Sequence, residues 1–461
     1  MPLIKSISGI RGTIGGKSGD SLSPVDTVKF TAAYAVWLKE QTAKQIYTVV
    51  VGRDARISGP FIQQLVMNTL VASGVHVIDL DLSTTPTVEM AVISHHADGG
   101  IIVTASHNPA EWNALKLLNG KGEFLNAADG EQLLATAADE HFNFSTVEKL
   151  GTITTDPAAL EKHITTITEF PLVDIAAIKK KKFRIVIDAV NSTGAIAVPE
   201  LLKALGVKDL IVLNEEMNGR FAHNPEPLPQ NLSQLSTEVR KQEAHLGIAV
   251  DPDVDRLCFV CEDGSMFGEE YTLVAVADFV LQQKKGNTVS NLSSTRALKD
   301  ITIRNGGEYF PSPVGEVNVV EKMKKVNAVV GGEGNGGIIV PDLHYGRDAL
   351  AGIALFLTYL AQSNKSALQL RRLYPDYFIS KNKIEVNNDI DVKKVLSHIQ
   401  RKYKNNPVNT DDGLKIEFEN DWVHLRTSNT EPIIRIYAES NFETTADNIA
   451  RRLMQDIREC I

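Results

Sequence analysis

A serine stands in a short polar loop directly after an apolar run. The run 101–103, Ile-Ile-Val, predicts a buried strand because its side chains are β-branched, and Thr-Ala-Ser-His-Asn-Pro at 104–109 predicts a tight loop at its end. Strand ends of α/β sheets are where such folds bind ligands. Ser106 is therefore a candidate for chemistry on a bound ligand, although the same side chains could serve only to make a turn.

Two kinds of transfer chemistry can use this hydroxyl. Acyl transfer needs a base within hydrogen-bond reach and usually a Gly-x-Ser-x-Gly turn, which does not surround Ser106. His107 is adjacent in sequence, and neighbouring side chains in an extended loop are expected to point apart. Phosphoryl transfer needs in-line positioning and cations that neutralise charge. The rest of the chain offers those parts.

Three aspartates alternate after the apolar run 246–250. They are Asp251, Asp253 and Asp255, and Arg256 follows them. Carboxylates that converge from one short loop suit a hard cation bound by oxygen, with open positions for phosphate. An EF-hand is excluded because Arg256 stands where that loop needs glycine. A haloacid-dehalogenase-type phosphatase also fits but leaves the Ser106 loop unexplained, and a purely structural acidic turn stays open.

Two further loops suit anions. The loop 8–13 carries Arg11 between glycines, which allow close backbone approach, and a guanidinium matches phosphate oxygens bidentately. Near the C terminus, Arg426 enters a loop of hydroxyl and amide side chains at 426–432, which would form an anion cradle. Each loop alone is also compatible with an ordinary turn.

The segment 332–337 matches the pattern G-x-G-x-x-G. A dinucleotide site needs a helix after this pattern, whereas the sequence Ile-Ile-Val-Pro follows here, so the interpretation as a dinucleotide site is rejected. Glu333 and Asn335 suit sugar hydroxyls, which both donate and accept hydrogen bonds. A hairpin without a ligand is the alternative.

Composition narrows the function classes. A net charge of -9 in 461 residues argues against nucleic acid or an anionic membrane as partner. The N terminus has no signal-peptide core, and the apolar stretch 350–361 is too short to span a bilayer, so we expect a cytoplasmic protein with a small-molecule partner. Cys258 and Cys261 lie in a predicted strand that points them to opposite faces, which favours core packing over a metal or redox site.

Length predicts roughly three or four domains of about 100–150 residues. Alternating strand and helix patterns predict parallel, helix-covered sheets in three α/β blocks and a smaller mixed block at the end. In the first block, Lys116 is expected on an exposed strand face near Ser106, and in the second the lysines at 179–182 are expected in a solvated loop. The predicted domains are 1–157, 158–264, 265–374 and 375–461.

Taken together, the chain resembles the α-D-phosphohexomutase superfamily along nearly its whole length. The resemblance rests on the loops 8–13, 104–109, 251–256, 332–337 and 426–432, which occur in the family's order. It implies a four-domain α/β architecture around a central cleft. It also implies Mg²⁺ bound by Ser106, carried as phosphoserine, and by the three aspartates. Catalytic candidates are Ser106, Arg11, His107 and Lys116, and substrate contacts are implied for Arg256, Glu333, Asn335, Arg426, Ser428, Asn429, Thr430 and Arg435.

The resemblance implies a reaction as well. The serine's phosphate would pass to a phosphosugar, the bisphosphate would turn over in place, and the other phosphate would return, with a hexose 1,6-bisphosphate as activator. Many members have glycine where this chain has Pro252, and the sugar loop commonly ends in Ser-x-His where Asn335 and Gly337 stand. The likeness is greatest to the phosphoglucosamine mutase branch, which implies interconversion of glucosamine 6-phosphate and 1-phosphate. Phosphomannomutase/phosphoglucomutase activity is the alternative, followed by a phosphosugar phosphatase and a catalytically inactive protein that binds sugar phosphates. The protein is expected to be a monomer or a homodimer.

Overall fold

This computed structural model describes residues 3–6, 9–386, 391–427 and 433–460. Within those residues the strands form four sheets that follow one another along the chain. The four-domain α/β architecture expected from the sequence is confirmed.

The first sheet presents the serine loop. Its strand order is β1-β2-β6-β5-β3-β4-β7, in which β3, β4, β5 and β7 are parallel and β6 returns antiparallel to β5. The expectation of a wholly parallel sheet is wrong at this point, because the connection between β5 and β6 is too short for the crossover of a dozen or more residues that a parallel return needs. The elements are β1 (Ile4–Ser6), β2 (Gly9–Thr13), α1 (Pro24–Gln41), β3 (Thr48–Arg53), α2 (Gly59–Ala72), β4 (His76–Leu82), α3 (Thr85–Ser94), β5 (Gly99–Val103), β6 (Trp112–Asn119), α4 (Ala127–Asp139) and β7 (Ile153–Thr155).

The second and third sheets have four strands each, in the orders β11-β10-β8-β9 and β13-β12-β14-β15. The second block contains α5 (Ala159–Thr168), α6 (Ile175–Lys181), β8 (Arg184–Asp188), α7 (Gly194–Ala204), β9 (Asp209–Leu213), α8 (Ser233–Lys241), β10 (Leu246–Val250) and β11 (Leu257–Cys261). The third contains α9 (Glu269–Gln283), β12 (Asn287–Asn291), α10 (Ala297–Arg304), β13 (Tyr309–Ser312), α11 (Glu316–Val326), β14 (Ala328–Glu333), β15 (Gly337–Ile339), α12 (Ala349–Ser363) and α13 (Ala367–Arg371).

The last sheet is antiparallel throughout, in the order β16-β20-β19-β18-β17. Helices α14 and α15 contribute to its core. Its elements are β16 (Phe378–Glu385), α14 (Val392–Lys402), β17 (Val408–Asn409), β18 (Leu414–Glu417), β19 (Trp422–Thr427), β20 (Ile433–Ser440) and α15 (Glu443–Arg458).

One strand pattern occurs three times. The sets β4-β3-β5-β6, β9-β8-β10-β11 and β13-β12-β14-β15 have the same order, and in each the third strand turns through a short loop into an antiparallel fourth. The three loops are 104–111, 251–256 and 334–336. The repeated topology therefore places the serine, aspartate and sugar loops at equivalent positions of three sheets.

The second and third sheets share one continuous hydrophobic core. Helix α12 is buried along most of its length and packs against α5, α6 and α7 of the second block and α9 of the third. A helix that packs against protein on all sides is expected to have such an apolar sequence. Among the described residues, no helix combines the length and apolarity needed to cross a membrane.

Two local expectations have different outcomes. Cys258 and Cys261 are free and fully buried in different core clusters, so the prediction of packing on opposite faces is confirmed. The lysines at 179–182 do not form a loop, because they end helix α6, and Lys182 terminates it in a left-handed conformation with φ 52°. Cations in a last helical turn are favoured by the helix dipole.

Candidate active site

A cavity of about 910 Å³ is lined by residues of all four sheet domains. The predicted residues that line it are Arg11, Ser106, His107, Lys116, Arg256, Glu333, Asn335, Arg426 and Arg435. The three aspartates lie directly behind this wall and are fully buried. The tertiary structure thus brings together the predicted residues that it describes; Ser428, Asn429 and Thr430 lie outside the described residues.

Ser106 is held in an uncommon backbone conformation at the end of β5. Its φ is +49°, in the left-handed region that few residues other than glycine adopt. Its Oγ donates a 2.6 Å hydrogen bond to Oδ2 of Asp251, and its backbone N–H donates to Oγ1 of Thr104 at 2.9 Å. The serine hydroxyl therefore points into the aspartate loop.

The aspartate loop has the donor set for a hard cation. One oxygen each of Asp251, Asp253 and Asp255 lies within 4.8 Å of the others. Oδ1 of Asp253 and Oδ1 of Asp255 are buried and accept no hydrogen bond from any described residue. Buried carboxylate oxygens without partners are costly, and a divalent cation with oxygen ligands would satisfy them. Burial and the neighbouring carboxylates of Asp255 and Asp253 raise the pKa of Asp251 well above its ordinary value.

Lys116 is buried, contrary to the expectation of an exposed strand face. Its Nζ donates to Oδ2 of Asp253 at 2.6 Å and to Oδ2 of Asp255 at 3.0 Å. Burial alone would lower the pKa of Lys116, but Asp253 and Asp255 together hold it above its ordinary value, so the side chain is an ammonium ion. The position opposite Ile102 in the antiparallel pair brings Lys116 beside the serine loop.

His107 lies closer to the serine than expected. Its Nδ1 is 3.5 Å from Oγ of Ser106, so the two side chains do not point apart. The left-handed backbone at Ser106 changes the direction of the chain between them. Burial, followed by the positive charges of Arg256 and Arg11, holds the pKa of His107 well below its ordinary value. The imidazole is neutral, with one ring nitrogen able to accept a proton.

Arg347 connects the aspartate and sugar loops and was not predicted as a site residue. Its Nη2 donates to Asp255 Oδ2 at 2.7 Å and its Nη1 to Glu333 Oε2 at 2.9 Å. Its Nε donates to Glu316 Oε2 at 2.9 Å. The sequence signal was slight: Arg347 precedes Asp348, which caps helix α12, so the segment suggests only a helix start.

The sugar loop is the tight turn 334–336 between the antiparallel strands β14 and β15, and no helix follows it directly. Glu333 Oε1 accepts hydrogen bonds from Asn291 Nδ2 at 2.8 Å and from the backbone N–H of Gly315 at 3.1 Å. With Arg347 on its other oxygen, Glu333 is engaged before any ligand arrives. Asn335 Oδ1 accepts from the N–H of Gly337 at 3.1 Å, which stabilises the turn.

A second carboxylate, Glu270, faces the sugar loop and was not predicted. A side chain at Gly334 would collide with it, since a Cβ there would lie 2.0 Å from Oε2 of Glu270. That oxygen accepts from the N–H of Thr295 at 2.9 Å, and the residue lines the cavity. Burial raises the pKa of Glu270 to about 8. Glu270 therefore offers the cavity a carboxyl group close to the loop expected to bind sugar.

Cations surround the cavity. Arg256 donates from Nη1 to Glu226 Oε1 at 2.9 Å, and Arg11 lies on β2 with its pKa lowered by burial and then by Arg256. In the last sheet, Arg426 and Arg435 occupy directly opposite positions of β19 and β20, and Nε of Arg426 lies 2.8 Å from Oδ2 of Asp412. Like charges at directly opposite strand positions are unfavourable, and an anion bound by both guanidinium groups would offset this cost. This arrangement suits a phosphate group.

The four sheet domains have counterparts in known families. Models of the phosphoglucomutase/phosphomannomutase alpha/beta/alpha domains I, II and III match residues 4–144, 161–264 and 268–377, and the model of the C-terminal domain matches 382–456. The four matched segments follow one another along the chain as domains I, II, III and C-terminal, and together they cover most of it.

Individual relatives align over nearly the whole chain. A phosphoglucomutase/phosphomannomutase of Thermococcus kodakarensis is 34% identical over 442 residues, or 94% of this chain and 95% of its own. A phosphoglucosamine/phosphogalactosamine mutase of Sulfurisphaera tokodaii is 31% identical, covering 96% of this chain and 97% of its own. The crystal structure of a phosphoglucomutase/phosphomannomutase family protein of Burkholderia thailandensis superimposes with a TM-score of 0.85 at 25% identity, covering 99% of this chain and 98% of its own. The protein therefore belongs to the phosphoglucomutase/phosphomannomutase family.

Proposed function

We propose that this protein is a phosphohexomutase that interconverts glucosamine 6-phosphate and glucosamine 1-phosphate through phosphorylated Ser106 and a bisphosphorylated sugar. The observation that carries the proposal is the 2.6 Å contact between Ser106 Oγ and Asp251, next to two buried carboxylate oxygens that accept no hydrogen bond from the described residues. Arg426 and Arg435 supply a second anion site in the same cavity. A sugar that carries a phosphate at each end during the reaction needs both sites.

The aspartate loop fits Mg²⁺. Asp251, Asp253 and Asp255, together with the phosphorylated Ser106, would hold the ion. Bound there, Mg²⁺ supplies positive charge that stabilises the oxygens of the transferring phosphoryl group. A hexose 1,6-bisphosphate would phosphorylate Ser106 to start the cycle.

The chain's own residues then position the transfer. In the forward step the bond between Ser106 Oγ and phosphorus breaks as a sugar hydroxyl oxygen bonds to the phosphorus. His107 Nδ1 lies 3.5 Å from Oγ and is the group that can take up and return the hydroxyl proton. The Lys116 ammonium, held by Asp253 and Asp255, would contribute positive charge beside the aspartate loop. Arg11 and Arg256 contribute charge from the cavity wall, and Arg426 with Arg435 would hold the phosphate that does not react. The sugar must turn over between the two steps so that its other phosphate meets Ser106.

The choice of sugar depends on the 2-position. The carboxylate of Glu333 accepts hydrogen bonds from Arg347, Asn291 and Gly315, which fix its position in the cavity wall. Glu270 adds a second carboxyl group beside the same loop. Glu333 favours an amino sugar because its carboxylate can attract an ammonium group, and Glu270, whose pKa burial raises to about 8, would add a hydrogen-bond acceptor. The named activity of the Sulfurisphaera relative supports the same choice, and the Thermococcus relative supports phosphomannomutase/phosphoglucomutase activity as the alternative.

One assay separates these activities and a phosphatase. The protein is incubated with Mg²⁺, glucose 1,6-bisphosphate and, in turn, glucosamine, glucose and mannose 1-phosphates, while sugar 6-phosphate and inorganic phosphate are both measured. We expect 6-phosphate formation without continuous phosphate release, and the highest kcat/KM with glucosamine 1-phosphate. A tenfold preference for glucose or mannose, about 1.4 kcal/mol, would replace the glucosamine assignment by the alternative. Continuous release of inorganic phosphate would indicate a phosphatase.

A further inference from the structure

Arg56 lies completely buried behind the serine loop, outside the cavity that holds the predicted site residues. It has no exposed surface and belongs to the short segment 54–58 between β3 and α2. Its Nε donates to Oδ2 of Asp54 at 3.0 Å. Its remaining four N–H groups donate to backbone carbonyl oxygens of the serine loop and of the first residue of β6, those of Ser106, Asn108, Pro109 and Trp112, at 2.5, 2.6, 2.6 and 2.9 Å.

All five N–H donors of the guanidinium therefore have acceptors; three of these lie in the serine loop and a fourth is Trp112, directly after it. The loop needs such support because Ser106 adopts a φ of +49°. A residue other than glycine is strained in this region and persists only where its surroundings hold it there. Arg56 supplies that constraint through the backbone carbonyl oxygens.

A second connection reaches the serine itself. Asp54 Oδ2 accepts from Oγ1 of Thr104 at 2.6 Å, and that same Oγ1 accepts from the backbone N–H of Ser106 at 2.9 Å. Asp54 is fully buried and is paired with Arg56. The pair thus contacts the carbonyl side of Ser106 directly and its N–H side through Thr104.

A third connection reaches the aspartate loop. The backbone N–H of Ala55 donates to Oγ of Ser192 at 3.2 Å, and Ser192 Oγ donates to the carbonyl oxygen of Pro252 at 2.6 Å. Pro252 lies between Asp251 and Asp253. The segment 54–56 therefore contacts the serine loop directly and the aspartate loop through Ser192, and the relative position of these loops sets the Ser106–Asp251 distance.

We propose that Arg56 is a positioning residue for phosphoryl transfer, holding the serine loop in the backbone conformation that keeps Ser106 Oγ aligned with the aspartate loop. The inference rests on the proposed function for the meaning of that alignment. A lysine cannot replace Arg56, because a single ammonium has three donors and no planar fork, whereas the loop and Trp112 together present four carbonyl oxygens to two nitrogens. Arg56 touches no reacting atom, so its loss changes the rate of transfer more than the binding of the sugar.

The test compares Arg56→Lys with Arg53→Lys. Arg53 lies three residues away and donates to Gln63, Asp81 and the carbonyl oxygen of Asp54, but not to the serine loop. For Arg56→Lys we expect kcat of the mutase reaction to fall about 100-fold with KM within about threefold of wild type, as for a misplacement of about 1 Å. Amide hydrogen exchange across 104–112 should become faster in the same variant. Arg53→Lys should resemble wild type in both measurements.

A folded Arg56→Lys protein with kcat within about threefold of wild type would overturn the proposal. If this variant does not fold, Thr104→Val decides, because it removes the hydroxyl between Asp54 and Ser106 with little change of shape. A lower kcat at unchanged melting temperature then supports the proposal, and an unchanged kcat contradicts it. If the wild-type protein shows no mutase activity, the proposed function is wrong, whatever the role of Arg56. Even then, an unchanged rate of amide hydrogen exchange at 104–112 in Arg56→Lys would refute the positioning role.

Discussion

Nη2 of Arg347 lies 2.7 Å from Oδ2 of Asp255, 92 residues away in sequence. The same guanidinium contacts Glu333 at 2.9 Å. A single buried side chain thereby joins the loop with the donor set for a metal to the loop expected to bind sugar. Because it also pairs with Glu316, Arg347 contacts three carboxylates and reduces their mutual repulsion.

Removal of this cation is expected to destabilise the fold. Arg347→Met leaves Asp255, Glu316 and Glu333 buried without their partner, and breaking a buried ion pair costs about 3–5 kcal/mol. Urea unfolding should show a loss in that range. The matched control is Arg184→Met, whose pair with Asp209 is about half exposed and should contribute less than about 1 kcal/mol. Equal effects of the two substitutions would contradict the assigned role of Arg347.

Ser106→Ala should fold normally and lose turnover. The hydroxyl that would accept the phosphoryl group is absent, and no other side chain of the loop occupies its position 2.6 Å from Asp251. We expect kcat to fall by more than about a thousandfold, over ~4 kcal/mol of transition-state free energy. Intact mass after treatment with glucose 1,6-bisphosphate should show one phosphoryl group on wild type and none on the variant. Near-normal turnover in folded Ser106→Ala would refute the phosphoserine mechanism.

Asp253→Asn tests the metal site. The substitution keeps the shape but removes the charge of an oxygen ligand, so Mg²⁺ affinity and rate should fall together. Mg²⁺ binding is followed by calorimetry and by the Mg²⁺ dependence of the rate. Asp209→Asn, at an exposed position of the second domain, is the control. An unchanged Mg²⁺ titration in Asp253→Asn would exclude this aspartate as a ligand.

Arg435→Met tests the second anion site, which is proposed to hold the phosphate that does not react. Arg435 faces Arg426 across the β19–β20 pair, so its loss relieves charge repulsion in the free protein and removes one charge-assisted contact to phosphate. A hydrogen bond to a charged group contributes about 1.5–3 kcal/mol, so KM should rise at least about tenfold. Melting temperature should not decrease. A normal KM would show that Arg435 does not contact the substrate.

A buried cluster outside the cavity predicts a pH dependence of stability. His344 lies between Asp348, at 3.2 Å from Nε2, and Glu89, at 3.4 Å from Nδ1. Burial alone would lower the pKa of His344, but Asp348 and Glu89 raise it to about 10, while burial raises the pKa of Glu89 to about 8. Both groups bind protons more tightly when folded than their ordinary values of 6.5 and 4.5 imply.

Their contribution to stability is therefore complete at low pH and is lost as pH rises. Glu89 loses it between about pH 4.5 and 8, and His344 between about pH 6.5 and 10. Urea unfolding at pH 6.5 and 9.5 should show that wild type loses at least about 1 kcal/mol more than His344→Gln over this interval. Parallel losses in the two proteins would show that His344 is not protonated in the fold.

The local sequence by itself determined the elements and their loops. The short apolar runs before Ser106 and Asp251 marked strands that end in loops. These features depend on neighbours within a few residues, through β-branching and alternation, so a local pattern is sufficient to predict them. The serine, the three aspartates and the glycine-rich loop were recognised for the same reason.

The tertiary structure alone decided which side chains meet. Lys116 reaches Asp253 across 137 residues, Arg347 reaches Asp255 across 92, and Arg56 reaches the carbonyl oxygen of Ser106 across 50. A strand pattern cannot show that Lys116 is buried, because burial of a cation requires carboxylates that a different domain supplies. The partners of these three cations are set by how the sheets pack, and the free energy of a buried charge depends on those partners rather than on its neighbours in sequence.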